Sequence, residues 1–232
     1  MPTDRRRHTP FLALAACFLL SFAGAARCQT SADLTVVSEY AGRGVSLQRG
    51  LTPQLRVEHD TDAGWYGGAF ASPVTLQDHA EGRRAQAQLT IYGGRALRLT
   101  PALSWDAGVT RNSYSRDGEW NFHEFYAGLA LQRASARLFY SPSYYGEGRS
   151  LYLDLSGAVP LGDQLRLALH AGLWHPMGGY DEPASNGGDV RVALVTDLGD
   201  FTVQAGWQAR WRSYLTEFPK PRAFTASVSL HF

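Results

Sequence analysis

Few residues in this sequence of 232 residues are spaced for catalysis or metal binding. Ser229 and His231 are two positions apart and share one face of an extended strand. Catalysis by a serine also needs a hydrogen bond to the histidine and an orienting acid, so we expect these two side chains simply to face water. His123 and Glu124 are adjacent and point to opposite faces. The sequence contains no phosphate-binding loop, HExxH pair or paired-carboxylate motif. We therefore predict a protein that is not an enzyme and has no cofactor or metal.

In segments where apolar residues occupy every second position, charged residues recur at the positions between them. Rings of charge in a narrow pore bias its selectivity for ions. If the apolar side faces lipid, the charged side lines a lumen. The candidate lumen-lining residues are Arg43, Arg56, Arg95, Asp106, Glu124, Asp154, Arg166, His170, Arg191, Arg210 and Arg212. Arginines are in excess toward the C-terminal segments, and this predicts a preference for anions.

Alternation with a period of two is the dominant pattern of the chain. In "AFTASVSLHF" (223–232), Phe224, Val228 and Phe232 fall on one parity, and Ser229 and His231 on the other. This period is typical of half-buried strands. Short turns alternate with longer polar loops along the chain, which is the connection pattern of an outer-membrane barrel. We therefore predict an all-β protein, a transmembrane antiparallel up-and-down barrel of about twelve strands, with ten or fourteen as alternatives.

Strand starts follow from these segments. The predicted starts are Asp33, Pro53, Trp65, Ala85, Leu103, Phe122, Ala136, Ser150, Gln164, Asp189, Phe201 and Ala223. Aromatic residues gather near predicted strand ends and resemble the interfacial girdles of membrane barrels. They include Trp65, Tyr66, Tyr40, Tyr114, Trp120, Tyr144, Tyr145, Trp174, Tyr180, Trp211 and Tyr214. Glycines inside the strands, such as Gly172, are expected to permit tight curvature.

The first 28 residues predict a secretory signal peptide. Arg5, Arg6 and Arg7 precede an apolar run that is shorter than a membrane-spanning helix, and cleavage is expected after one of the residues from Ala25 to Cys28. Residues 29–232 then form the barrel. Removing four arginines and one aspartate changes the net charge from +1 to −2, which does not favour nucleic acid as a partner.

The stretch "LTVVSEYAGRGVSLQRGLTPQLRVEHDTDAGWYGGAFASPV" (34–74) resembles the start of the TorF family of outer-membrane porins. The resemblance is carried by the segment from Ser38 to Ser46, by Pro53 at the start of the second strand, and by Gly64-Trp65-Tyr66-Gly67 on the third strand. Glu39 stands where the family usually has aspartate. The resemblance implies a barrel in the outer membrane of a Gram-negative bacterium, in contact with its lipid. The terminal Phe232 is also similar to the C-terminal signal that the barrel assembly machinery binds.

Several functions remain open from the sequence. The first is a channel for passive diffusion of small polar solutes. The second is a barrel with a filled lumen that acts as a structural or interaction protein, since small barrels fill their interiors with side chains. The third is a lipid-modifying enzyme, which would need a Ser, His and acid site. Arg43 followed by Gly44 has two interpretations: an arginine that shapes a constriction, or, as the favoured one, an arginine at the membrane interface beside a bend.

Overall fold

The computed structural model describes residues 29–43, 45–78, 82–181, 184–211 and 222–232. They form a closed barrel of twelve antiparallel strands in which each strand pairs with its sequence neighbours and β1 pairs with β12. The strands are β1 Gln29–Gly42, β2 Val45–Asp60, β3 Trp65–Asp78, β4 Gly82–Arg98, β5 Leu103–Tyr114, β6 Phe122–Leu131, β7 Ala134–Ser141, β8 Ser150–Pro160, β9 Leu165–Pro176, β10 Gly187–Leu198, β11 Phe201–Trp211 and β12 Arg222–His231. The predicted architecture is therefore confirmed. The predicted signal peptide lies outside the described residues.

The two faces of each strand differ as the alternation predicts. In β6, Glu124 and Tyr126 are buried while Phe125 and Leu129 are exposed on the outside. On β12, Phe224 is 85% exposed. Such an arrangement, apolar outward and polar inward, inverts the pattern of a water-soluble sandwich and matches a wall that meets lipid. Within the described residues, no helix is long and apolar enough to span a membrane.

The two ends of the barrel are different. At the short-turn end lie the beginning of β1, the end of β12 and the tight turns, for example Thr61–Gly64 between β2 and β3. At the long-loop end, two short 3₁₀ helices, Gly118–Trp120 and Tyr144–Gly146, follow β5 and β7. The final residue closes the seam, since the N–H of Phe232 donates to the carbonyl of Ala32 at 2.9 Å.

The second strand differs from the prediction. It begins at Val45 instead of Pro53, so residues 45–52, which precede the predicted start, also belong to the strand. The β1–β12 ladder ends where Val37 pairs with Ser227, and the β2–β3 ladder ends where Leu55 pairs with Ala71. Beyond these points β1 and β2 pair only with each other, through residues we name the inner hairpin (residues 38–43 and 45–52).

Candidate functional site

The polar interior of the barrel is built from tyrosines that lie against its wall. Tyr66 faces Gly94 across the β3–β4 ladder, and Tyr92 faces Gly68. A Cβ atom at Gly94 would overlap the Tyr66 ring, because the ring lies flat over the glycine. The missing side chain therefore lets a large residue cover the wall instead of projecting across the lumen.

The hydroxyl of each tyrosine donates a hydrogen bond to a carboxylate on the strand beyond the one that its ring covers. Tyr92 of β4 crosses β3 and donates to Glu58 of β2 at 2.6 Å. Tyr66 of β3 crosses β4 and donates to Asp106 of β5 at 3.1 Å, and Asp106 also pairs with Arg137 of β7 at 2.6 Å. The bond satisfies a buried carboxylate, which would be costly if left without a partner.

Tyr152 repeats this arrangement on the opposite wall. Its ring lies over Gly172 of β9, and its hydroxyl donates to Asp189 of β10 at 3.0 Å. His170 lies between two acids, with Nε2 at 2.9 Å from Asp189 and Nδ1 at 3.6 Å from Asp154. This cluster satisfies both carboxylates through one imidazole and one phenol.

Ser156, His170 and Asp189 resemble a catalytic triad only in composition. The Ser156 hydroxyl donates to Asp154 at 2.9 Å, and it lies 3.3 Å from His170 Nδ1. Ser156 also stands in mid-strand, paired with β7 on one side and β9 on the other. The backbone N–H groups around it belong to these ladders and do not form an oxyanion hole, which acyl transfer requires.

A second polar network crosses the seam at the short-turn end. His231 contacts Asp33 Oδ1 at 2.6 Å and Thr202 Oγ1 at 3.0 Å. Thr202 donates to Asp197, which pairs with Arg166 on β9. Nearby, the Thr35 hydroxyl donates to Ser229 at 2.8 Å. The expectation that Ser229 and His231 simply face water is wrong, because both are held in bonds that link β12 to the neighbouring strands.

The long-loop end of the interior is apolar and aromatic. Val45 and Leu47 of the inner hairpin belong to a buried cluster inside the barrel, whose other members are Val74, Leu76, Tyr114, Phe122, Tyr144, Tyr152 and Trp174. Tyr145 and Tyr180, in the loops, pack against it. Burial raises the pKa of Tyr180 to about 12 and also raises that of Tyr145, so both phenols stay neutral. The cluster therefore holds the hairpin by burial of apolar surface.

Arg43 spans the interior from the tip of the inner hairpin. Its Nη2 atom pairs with Glu124 of β6 at 2.7 Å. Its guanidinium lies 4.3 Å from the ring centroid of Tyr152 and 5.2 Å from that of Phe139. These partners belong to β6, β7 and β8, the wall opposite β1 in the cyclic strand order. The favoured interpretation of Arg43 as an interfacial residue is therefore wrong, and the constriction interpretation fits the contacts.

The other candidate residues divide between the two faces. The inner face carries, besides Arg43, most of the remaining candidates: Arg56, Asp106, Glu124, Asp154, Arg166, His170, Arg191 and Arg210. The prediction that Arg95 lines the lumen is wrong. Arg95 shares the outer parity of Ile91, is exposed, and its guanidinium lies 5.3 Å from the centroid of the Trp65 ring. A long arginine near a strand end can reach the polar interface, which explains its position on the outer face. Arg212 lies outside the described residues.

The prediction that aromatic residues near strand ends form outer girdles is wrong for several of them. Trp65 and Trp211 are exposed on the outside near strand ends, as a girdle requires. Tyr114, Tyr144 and Trp174 are instead buried inside the barrel. The position of an aromatic residue near a strand end does not distinguish an outer girdle from an inner cluster, because both place aromatic residues close to the ends of the strands. Tyr214 lies outside the described residues.

The described ranges contain no group of three or more His, Cys, Asp or Glu side chains placed to hold a metal ion.

The packing of interior tyrosine rings over glycines on the neighbouring strand was not predicted from the sequence. The segments "WYGG" (65–68) and "IYGG" (91–94) each contain a tyrosine followed by two glycines. In the structure the tyrosine of each segment faces a glycine of the other. Their cross-strand register could not be derived from either segment alone.

Comparison with solved structures agrees with this fold. The NanC porin has a TM-score of 0.59 at 11% identity, covering 87% of this chain and 98% of that one. The KdgM porin has a TM-score of 0.55 at 13% identity, covering 87% and 99%. A second KdgM structure, in complex with disordered oligogalacturonate, has a TM-score of 0.51 at 13% identity, covering 87% and 99%. At these identities the likeness establishes the barrel fold.

Comparison by sequence gives a family. No curated protein is significantly similar to the chain. One family model, described as "Bacterial protein of unknown function (Gcw_chp)", matches residues 22–193, which is more than half of the sequence and extends from β1 into β10. The chain therefore belongs to the Gcw_chp family of bacterial proteins.

Proposed function

We propose that this protein is a porin-like channel of the bacterial outer membrane, of the TorF type, through which small polar solutes diffuse passively. The observation that carries the proposal is the inversion of polarity across a closed wall. Large apolar side chains such as Phe125 and Phe224 face outward, whereas Asp106, Glu124 and Asp189 are buried inside. A cleaved signal for residues 1–28 and assembly through Phe232 complete the proposed route to the outer membrane.

The interior also supports a preference for anions. Arg191 and Arg210 lie on the inner face of β10 and β11, beside Arg166 of β9, which is paired with Asp197. Several interior carboxylates, among them Asp106 and Asp189, are bonded to tyrosine, arginine or histidine within the wall. A carboxylate paired within the wall repels a passing anion less than an isolated one does. Oligogalacturonate, named with the KdgM structure, is a suitable first polyanion to test.

The experiment is a planar-bilayer recording of the refolded chain from Gln29 onward. Discrete conductance steps are expected, with a reversal potential in a chloride gradient displaced toward the equilibrium potential of chloride. The matched variant Arg191→Gln should move the reversal potential toward zero. A barrel that is folded and inserted but passes no current would exclude the channel. A reversal potential on the cation side would exclude the anion preference alone.

A structural barrel with a filled lumen is the second candidate. The specific observation in its favour is the aromatic cluster with Val45 and Leu47 at the long-loop end, because buried apolar side chains there occupy space that a channel needs. The same recording separates the two, since a filled barrel conducts at no applied voltage.

A further inference from the structure

We infer that the inner hairpin is a hinged gate, held across the lumen by the Arg43–Glu124 ion pair together with the apolar cluster around Val45 and Leu47. The inference rests on the proposed channel function and specifies how that channel is regulated. Three features support it: a hinge where both arms bend, few backbone bonds to the surrounding wall, and a latch at the tip.

The hinge lies at one height on both arms. Val37 pairs with Thr52 and Glu39 with Arg49, so Ser38 on β1 faces two residues, Gly50 and Leu51, on β2. An extra residue on one arm is a β-bulge, which bends a strand pair. Gly50 has a φ of 83°, a conformation that glycine adopts at little cost. Both arms can therefore turn inward at this height.

The wall holds the hairpin mainly through side chains. The β11–β12 ladder continues to Arg222 and the β3–β4 ladder to Asp78, past the points where β12 leaves β1 and β3 leaves β2. Among the described residues, the inner hairpin has no ladder pairing with β3 or β12. One bond at the hinge remains, from the Ala226 N–H to the Ser38 hydroxyl at 2.9 Å. Rotation about the hinge would leave the barrel ladders intact.

The tip contacts form the latch. Arg43 and Glu124 retain only 18% and 6% side-chain exposure, and the removal of one partner from such a buried pair leaves a costly unpaired charge. Arg43 also has a φ of 48°, which is unusual for a residue other than glycine. Two weaker contacts lie along the arms: Thr75 donates to Gln48 at 2.6 Å and Tyr40 donates to Gln88 at 3.1 Å. The ion pair is therefore the main polar contact at the far wall.

The size of the hairpin relative to the lumen determines the expected effect. Twelve strands spaced about 4.8 Å apart and tilted about 40° close into a ring about 24 Å across between backbones. Lining side chains of about 5 Å on each side leave a bore of about 14 Å, and a ribbon about 10 Å wide and thick fills about two thirds of its area. Release of the hairpin should raise single-channel conductance about threefold.

The first test measures conductance of the full chain recovered from outer membranes. Arg43→Gln and Glu124→Gln should each raise conductance about threefold, and the double variant should not exceed either. The charge exchange Arg43→Glu with Glu124→Arg should restore the wild-type value. Arg137→Gln serves as the matched control, because the ion pair of Arg137 with Asp106 joins two strands of one wall.

The second test measures the position of the hairpin without current. In a chain with Cys17→Ser and Cys28→Ser, Leu47→Cys reports the buried arm, since Leu47 is 2% exposed, and Leu51→Cys is the control at 82% exposure. Glu124→Gln should make Leu47→Cys react with a water-soluble maleimide about tenfold faster and leave Leu51→Cys unchanged.

The outcomes distinguish the gate from the channel. A conducting wild type whose conductance and Leu47→Cys reactivity are unchanged by Glu124→Gln overturns the gate and leaves the channel intact. A barrel that is silent in every variant, but in which Leu47→Cys becomes reactive, overturns the channel and supports a moving hairpin.

Discussion

The substitution Gly172→Ala tests whether interior glycines seat the tyrosine rings. At this position on β9 an added Cβ atom would overlap the hydroxyl of Tyr152 and lie 2.5 Å from Asp189 Oδ2. The nearest obstacles are side chains of neighbouring strands, so the substitution should displace Tyr152 and leave the ladder in place. The ring would then leave Asp189, to which its hydroxyl donates, and Arg43, whose guanidinium it faces.

The expected loss is the sum of two effects. Overpacking of a well-packed interior costs about 1–3 kcal/mol. A lost hydrogen bond to a charged group adds about 1.5–3 kcal/mol. Alanine itself is better than glycine within a strand by about 0.5–1 kcal/mol, which offsets part of this. The free energy of unfolding should therefore fall by about 2–5 kcal/mol.

The assay is reversible denaturant unfolding in lipid vesicles, followed by tryptophan fluorescence. Gly67→Ala is the matched control, because a Cβ there meets only Tyr92 O at 3.6 Å; it should leave stability unchanged or raise it by up to about 1 kcal/mol. The Tyr152→Ala background should remove most of the cost of Gly172→Ala, since the ring that obstructs the Cβ is gone. Equal stability of Gly172→Ala and wild type would refute the seating of the ring.

Three further predictions concern other parts of the wall. A cysteine at Arg191, modified with a charged water-soluble thiol reagent, should lower the current through the barrel, whereas the same modification at Arg95 should not. His231→Ala should lower the free energy of unfolding by about 2 kcal/mol, because a partly buried bond to the Asp33 carboxylate on β1 is lost. Phe232→Ala should reduce the amount of assembled barrel in cells, whereas Phe224→Ala should not, although Phe224 on β12 is also exposed, at 85% against 72% for Phe232.

Each of these has a contrary result. Blockade through Arg95 would place that side chain in the lumen. Unchanged unfolding of His231→Ala would mean that the seam network adds nothing beyond the β1–β12 ladder. Equal assembly of both phenylalanine variants would remove the role proposed for Phe232.

The strands and their faces were predictable because one physical constraint repeats along the chain. A wall between lipid and a polar interior forces alternation, and it placed Phe224 and Val228 outward and Ser229 inward on β12. Starts at Trp65, Leu103, Phe122, Ser150 and Phe201 were predicted to the residue, since each follows a turn whose composition interrupts the alternation.

The inner hairpin was not predictable by the same means. "SLQRGL" (46–51) carries Arg49 and Gly50 among its residues and is typical of a loop, yet Leu47 is buried inside the barrel. Its partners come from β3 to β9, far along the sequence, so no local pattern records them. The prediction that Arg95 faces inward was wrong for a different reason. Gly93 and Gly94 precede it and carry no side chains that would indicate which face is inward.

The interior is thus organised differently at its two ends, and under the proposed channel function this difference assigns the control of passage to one of them. Toward the short-turn end, Tyr66 and Tyr92 lie flat on glycines and bond to acids in the same wall, which holds these rings against the wall. Toward the long-loop end, Leu47 and Arg43 extend from the hairpin to the opposite side. The permeability of the barrel should therefore depend on the hairpin more than on any charge along the wall.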